Sequence, residues 1–315
     1  MAQGRLEPEV GREALWACSA CGACEDACPA RVDVASLVQR GRERLSRRGL
    51  LPSDVREACG RFAVSGTPVD RDLSQALEHA LASSRMEAER VAEVVYLPGC
   101  RTLVDEPEAV SAFLSALSLA GGRRVSLTPA SSACCGMALW WAGDLEAFEV
   151  HARVMQARLR GAKRLVVHDP SCAHDLERRY AEVGVALDLD VVSAMDFFAA
   201  ALDLEAPAPT EGEGAVLVES CRQAREGARG AALRVVRQAV EGRVEVVDSG
   251  CCGAGGAMPE AAPEDAAAMA RDWIDRARSR GAARVLTCSP RCRGHLRRVD
   301  PSFEVGDPIA EWARR

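Results

Sequence analysis

Aromatic residues are scarce. Phe, Trp and Tyr make up 4% of 315 residues, and only two are tyrosines. A chain so poor in rings has no stacking platform for single-stranded nucleic acid. Positive charge is in deficit as well: the formal net charge is -6, whereas binding to phosphates normally needs a basic face. A nucleic-acid partner is therefore not expected. No run of about 18 apolar residues occurs, so no membrane span is encoded. The opening "MAQGRLEPEVGREALW" has no apolar h-region, so no secretory signal is read there. Also missing is a G-x-G-x-x-G fingerprint opening a βαβ unit, so flavin or nicotinamide would have to be held by another protein.

Cysteine, by contrast, is abundant, with fourteen in the chain. These absences place the protein in a reducing cytoplasm, or peripherally at the inner membrane face through a partner. In that compartment so many thiols point to metal ligation or redox chemistry rather than structural disulfides. Apolar residues at 48% and charged residues at 27% are ordinary for a globular protein. The length suits two or three domains.

Four thiols stand in "ACSACGACEDACPA": Cys18, Cys21, Cys24 and Cys28, followed by Pro29. C-x2-C-x2-C-x3-C-P is the spacing of a ferredoxin-type cubane run. Two-residue spacers let one tight loop present three thiolates to three irons, and loop N–H groups can hydrogen-bond to sulfur. Zinc usually takes two separated Cys pairs, or Cys with His, and no His lies in this segment. Such runs come in pairs, but the second is eroded to "ACGRFAVSGTPVD", with Thr67 where a Cys would precede Pro68 and only Cys59 nearby. One cubane 4Fe–4S cluster is therefore expected on Cys18, Cys21, Cys24 and either Cys28 or Cys59, Cys28 being preferred.

Beyond Val94 short apolar strands alternate with helical patterns, which signals parallel sheets with crossover helices. The order then repeats. Cys100, Cys134 and Cys172 recur as Cys221, Cys251 and Cys292, at offsets of 121, 117 and 120. The fold class is α/β: a helical ferredoxin-like N-terminal domain (1–68), a helical connector (69–93), and two homologous α/β half-domains (94–201 and 215–315) joined by a linker (202–214). Strands are expected in "VVYLPGC", "RRVSLT", "RLVVHDPSC", "AVLVESC", "VEVVD" and "RVLTCSPRC". In each half the cysteines follow strand C-termini, the edge at which open α/β sheets bind ligands.

The stretches "YLPGC", "ACCGMALWWAGD", "HDPSCAHDL", "LVESC", "SGCCGAGGAMPE" and "TCSPRC" resemble the cysteine-rich CCG domain. That domain occurs in heterodisulfide reductase B- and D-type subunits and in iron–sulfur subunits of glycolate and lactate oxidases. With the N-terminal run, the resemblance spans nearly the whole chain. It implies cofactor binding by Cys100, Cys134, Cys135 and Cys172 in half one, and by Cys221, Cys251, Cys252, Cys288 and Cys292 in half two. One or two further iron–sulfur clusters are implied there, including a non-cubane form. Both halves depart from the family's closing C-x-x-C: Asp169 and Ser289 stand at its first position. Cys288 gives half two a fifth thiol, which makes that half the better candidate for a non-cubane cluster.

The resemblance further implies an electron-transfer subunit of an oxidoreductase, partnered by a flavin-containing dehydrogenase subunit or a quinone-linked membrane protein. One alternative is a self-contained heterodisulfide or thiol–disulfide reductase. In either, Cys251, Cys252 and Cys292 are the catalytic candidates. Another is a cluster-depleted scaffold or zinc-binding module. Among the other residues, His168, His174 and His295 are read as hydrogen-bonding or exposed groups. Trp140 and Trp141 are read as core, as cluster shielding or as a partner-contact surface. Arg291 is either a counter-charge for an anionic group or a solvated surface residue.

Overall fold

A computed structural model describes residues 13–82, 93–121, 124–202, 214–221, 229–247, 250–280 and 284–314. The expected linker, the end of the connector and the start of the helix after Cys221 lie largely outside them.

Two parallel sheets form the frame. The first has strands β1 (Val94–Leu97), β2 (Arg164–Val167) and β3 (Asp190–Ser193) in the order β1-β2-β3. The second has β4 (Ala215–Val218), β5 (Val244–Val247), β6 (Arg284–Leu286) and β7 (Val305–Gly306) in the order β5-β4-β6-β7. The expected strand "RRVSLT" contracts to a single bridge between Ser126 and Val95. That bridge lies on the free side of β1, where β5 lies beside β4. The two sheets therefore share one topology, as the cysteine offsets require. Val and Leu dominate β1, β2, β4 and β6, whose residues are mostly buried, as in sheets covered on both faces.

Helix starts are set locally. Pro107, Pro170, Pro263, Pro290 and Pro308 each open a helix, where the missing N–H costs nothing and the fixed φ is already helical. The side chains of Asp144, Asp169, Ser193, Ser289 and Asp307 cap helix N-termini. In the N-terminal segment, helices Val34–Ser46, Ser53–Ser65 and Leu73–Ala82 pack on the first half.

The halves meet through helices Pro107–Leu119, Ala194–Ala201, Arg229–Ala239 and Pro308–Ala313. Phe113, Leu114, Phe198, Val235, Val236 and Ile309 are all buried in one continuous core. Each such large apolar side chain contributes roughly 1.5–3 kcal/mol on burial. Trp312 lies edge-on to Phe198 at 5.0 Å. A second core under β4 and β6 holds Trp273, Ile274, Leu296 and Phe303.

Charge is sealed inside the same junction. Arg293, with 0% of its side chain exposed, pairs with Glu106 at 2.5 Å and with Asp307 at 2.8 Å. It also donates to the Thr287 carbonyl. Burial pushes the Glu106 carboxyl up, against the pull of Arg293. Asp307 is held well below the usual range because Arg293 and His168 outweigh its burial. Arg297 reaches Glu106 from a side chain that is 40% exposed. Removing one partner of a buried pair leaves the other charge stranded. Arg293→Ala should therefore destabilise the chain by about 3–5 kcal/mol in denaturant titration, and Arg297→Ala by only about 1 kcal/mol or less.

Candidate metal centres

In the first half four thiols converge at the C-terminal edge of the sheet. Cys100 is the first residue of helix Cys100–Asp105, which follows β1. Cys134 and Cys135 immediately precede helix Met137–Ala142. Cys172 lies in the first turn of helix Pro170–Glu182, which follows β2. All four are buried. The sulfurs of Cys134 and Cys100 are 3.5 Å apart, and those of Cys135 and Cys172 are 3.1 Å apart. A further hydrogen bond joins Cys134 to Cys135.

The turn that carries the adjacent cysteines is fixed from several sides. Gly136 has φ 87°, and a Cβ there would meet His151 Cδ2 at 2.6 Å. His151 Nε2–H donates to the Cys134 carbonyl at 2.8 Å, and Tyr180 Oη–H donates to the Cys135 carbonyl at 3.0 Å. Hydrogen bonds from Cys134 and Cys172 hold the Cys135 thiol far below its ordinary range, with Arg291 adding to the pull. The bond with Cys100, then that with Cys135 and burial, push Cys134 up, and the bond with Cys135 and burial push Cys172 up.

Arg291 belongs to the second half but serves the first. Its guanidinium carbon lies 4.6 Å above the Trp141 ring, and its Nε is 3.9 Å from Asp169. Burial alone would lower its pKa; Asp169 and the charges of Cys172, Cys100 and Cys135 overcome this and raise it. Of the two sequence readings, the structure supports the counter-charge. Trp140 and Trp141 are buried, as core and shielding residues would be.

The second half repeats the arrangement. Cys252 and Cys292 stand 3.1 Å apart, and Cys251 hydrogen-bonds with Cys21, Cys221 and Cys252. These bonds hold Cys251 well below the ordinary thiol range. Cys292 sits in the first turn of helix Pro290–Val299. Gly253, at φ 84°, lies against Ala266: a Cβ would meet the Ala266 carbonyl at 2.6 Å. Cys288 packs in the core shared between the halves, and its charge is felt by Arg293. It occupies the repeat position of His168, which hydrogen-bonds to Tyr96 Oη at 2.8 Å. At the two departures from C-x-x-C, Asp169 accepts from the Ser171 N–H at 2.9 Å and Ser289 accepts from the Cys292 N–H at 3.3 Å. Both are helix caps. His295 is buried and bonds to the Ala266 carbonyl at 3.1 Å; His174 is half-buried on helix Pro170–Glu182.

In the N-terminal run, Cys24 is exposed and Cys18, Cys21 and Cys28 are partly so. The N–H groups of Val32, Ala30 and Arg31 face the Cys28 thiol and lower its pKa. The Ala20 N–H points at Cys18 Sγ at 3.4 Å. Such N–H groups aimed at sulfur suit a thiolate. Cys59 lies on helix Ser53–Ser65, packed against the core, and is pushed up to about 11 by burial and by Asp144.

The donor chemistry fits an iron–sulfur group. Each half gathers thiols, the soft ligands that select such clusters, zinc or copper(I), and the first half has the half-buried cation of Arg291 beside them. Among the described residues no three His, Cys, Asp or Glu side chains form a ready-made single-ion site. The thiols instead stand in hydrogen-bonded pairs, whose protons a bound metal group would displace.

The cysteine-rich CCG domain family matches the chain twice, at residues 94–177 and 216–297. The chain belongs to this family of cysteine-rich domain proteins. It is also 23% identical over 300 residues to a subunit of the fumarate reductase (CoM/CoB) of Methanothermobacter marburgensis, an alignment that covers 94% of this chain and 59% of that protein. The chain thus spans under two thirds of that relative's length. No helix among the described residues is long and apolar enough to cross a membrane.

Sequence reasoning did not find His151, Tyr180 or the contact of Cys21 with Cys251. The geometry of the glycine after each Cys-Cys pair gives a test. Gly253→Ala should cost about 1 kcal/mol of left-handed strain plus roughly 1–3 kcal/mol of overpacking against Ala266. Gly184→Ala, at φ 74° with open space around it, should cost only the strain. Thermal melts of the two variants measure the difference.

Proposed function

We propose that this chain is an iron–sulfur electron-transfer subunit of a reductase complex. The observation that supports this most is the gathering of four thiols at the same sheet edge in each half. Cys100, Cys134, Cys135 and Cys172 would hold one group, and Cys221, Cys251, Cys252 and Cys292 a second; Cys18, Cys21, Cys24 and Cys28 would hold a cubane. Bound clusters supply one-electron transfer. The protein's own part is to keep the thiols deprotonated and dry. Arg291 neutralises the first array, Trp141 covers Arg291, and Tyr180 and His151 fix the Cys134–Cys135 backbone. The relative's name, that of one component of a fumarate reductase, supports a partner protein. A flavin-containing dehydrogenase subunit or a quinone-linked membrane protein fits that role.

One observation favours a second reading, direct thiol–disulfide reduction with Cys251, Cys252 and Cys292 as the reacting groups or with the first array in that role. A cleft lined by Cys100, Cys134 and Cys135 also carries Arg61, Arg101 and Arg291, which would suit a small anionic disulfide. Reduction of such a disulfide by the reduced chain alone, with no partner present, would favour this second reading.

The primary test is iron and acid-labile sulfide per chain after anaerobic purification, with EPR of both redox states. At about four irons per cubane, roughly eight to twelve irons and at least two distinguishable signals are expected. About four irons with one ferredoxin-type signal would mean that the CCG halves carry no cluster.

A further inference from the structure

One contact has no counterpart in the first half among the described residues. The N-terminal cysteine loop is seated on the CCG turn of the second half. Cys251 Sγ donates to Ser19 Oγ at 3.2 Å, and Cys21, two residues further along that loop, interacts with Cys251. Cys251 in turn contacts Cys221 and Cys252, and Cys252 contacts Cys292. Through Cys251 the N-terminal loop is thereby linked to the thiols of the second half. In the first half the array is Cys100, Cys134, Cys135 and Cys172, faced by Arg291 rather than by another thiol.

The seat is built for this approach. A Cβ on Gly255 would meet the Ser19 carbonyl at 2.3 Å, and one on Gly256 would meet the Cys18 carbonyl at 2.6 Å. Only glycine lets the two backbones come so close. Arg42, 1% exposed, ties the loop from behind. It donates to the carbonyls of Cys18 at 2.7 Å and Leu15 at 2.9 Å, and its guanidinium lies 5.0 Å from the Trp16 ring. The loop itself is turned by Ala20 and Gly22, at φ 54° and 77°. For Ala20 this is a left-handed conformation that a non-glycine residue adopts only when its surroundings impose it.

From this seating we propose that Cys21, besides its place in the N-terminal run, is shared with the second-half site as a fifth sulfur alongside Cys221, Cys251, Cys252 and Cys292. The N-terminal run and the second CCG half are then one composite centre joined at Cys21 and Cys251. The inference rests on the cluster reading above.

Three single variants of the full chain separate the possibilities, read by iron content and EPR: Cys24→Ala, Cys252→Ala and Cys21→Ala. Cys24→Ala should remove the N-terminal signal and spare the second-half signal. Cys252→Ala should do the reverse. Cys21→Ala should abolish or shift the second-half signal as well as the N-terminal one. If Cys21→Ala instead matches Cys24→Ala, leaving the second-half signal intact, the assignment of Cys21 is overturned while the cluster reading stands. If Cys252→Ala changes no signal, the cluster reading of that half fails, and the composite centre with it. Should Cys21→Ala not fold, the metal-free wild-type chain can be oxidised with diamide and its disulfides mapped by mass spectrometry. A Cys21–Cys251 cross-link supports the proposal; Cys21 paired only within its own run overturns it.

Discussion

Arg293 is the residue on which the arrangement of the candidate sites depends. Its guanidinium is buried where the two halves meet and is paired to Glu106 of the first half and Asp307 of the second. A buried cation tolerates few positions, because its partners must lie within hydrogen-bonding reach. Helix Pro290–Val299 is thereby fixed against the first half. Arg291, two residues earlier on the same helix, is carried over Trp141 to the Cys100, Cys135 and Cys172 thiols. The neutralisation of one half's sulfur array is thus tied to the packing of the other half.

The repeat explains much of what remains, and its breaks explain the difference between the sites. Both sheets share one strand order, and both gather the same four thiol positions at the same edge. The repeat partner of Arg291 is Ser171, so no arginine at that position is returned to the second half. Where the first site has a cation, the second meets the N-terminal loop, with Ser19 and Cys21. The first position of the family's C-x-x-C has become a helix cap in both halves.

Cysteine spacing carried most of the site. The near-equal offsets between Cys100, Cys134 and Cys172 and their repeats mark in sequence the positions that the structure brings to the same sheet edge in each half. Strands β1, β2, β4, β5 and β6 were legible as short β-branched runs. β3 was not: Asp-Val-Val-Ser is four residues at a sheet edge, half-exposed and embedded in a polar stretch. β7, with two residues, carries no pattern at all, and "RRVSLT" has the pattern of a strand but makes one bridge. The extra thiol of half two, Cys288, is a ligand candidate in sequence from its nearness to Cys292. The helix turn after Ser289 directs Cys292 to Cys252, and Cys288 is buried in the shared core. The contact between Cys21 and Cys251 was illegible because no local rule links residues 230 positions apart. Arg42 stands mid-helix in a charge-rich stretch, and its partners are backbone carbonyls that leave no mark in sequence.

The central claim is that these thiols hold iron at the edges of both sheets. The most direct test is anomalous diffraction at the iron edge from anaerobically grown crystals of the full chain. The account predicts iron density against Cys100, Cys134, Cys135 and Cys172, and separately against Cys221, Cys251, Cys252 and Cys292, besides that of the N-terminal run. Iron confined to the N-terminal run, with the CCG thiols still paired with one another, would contradict it.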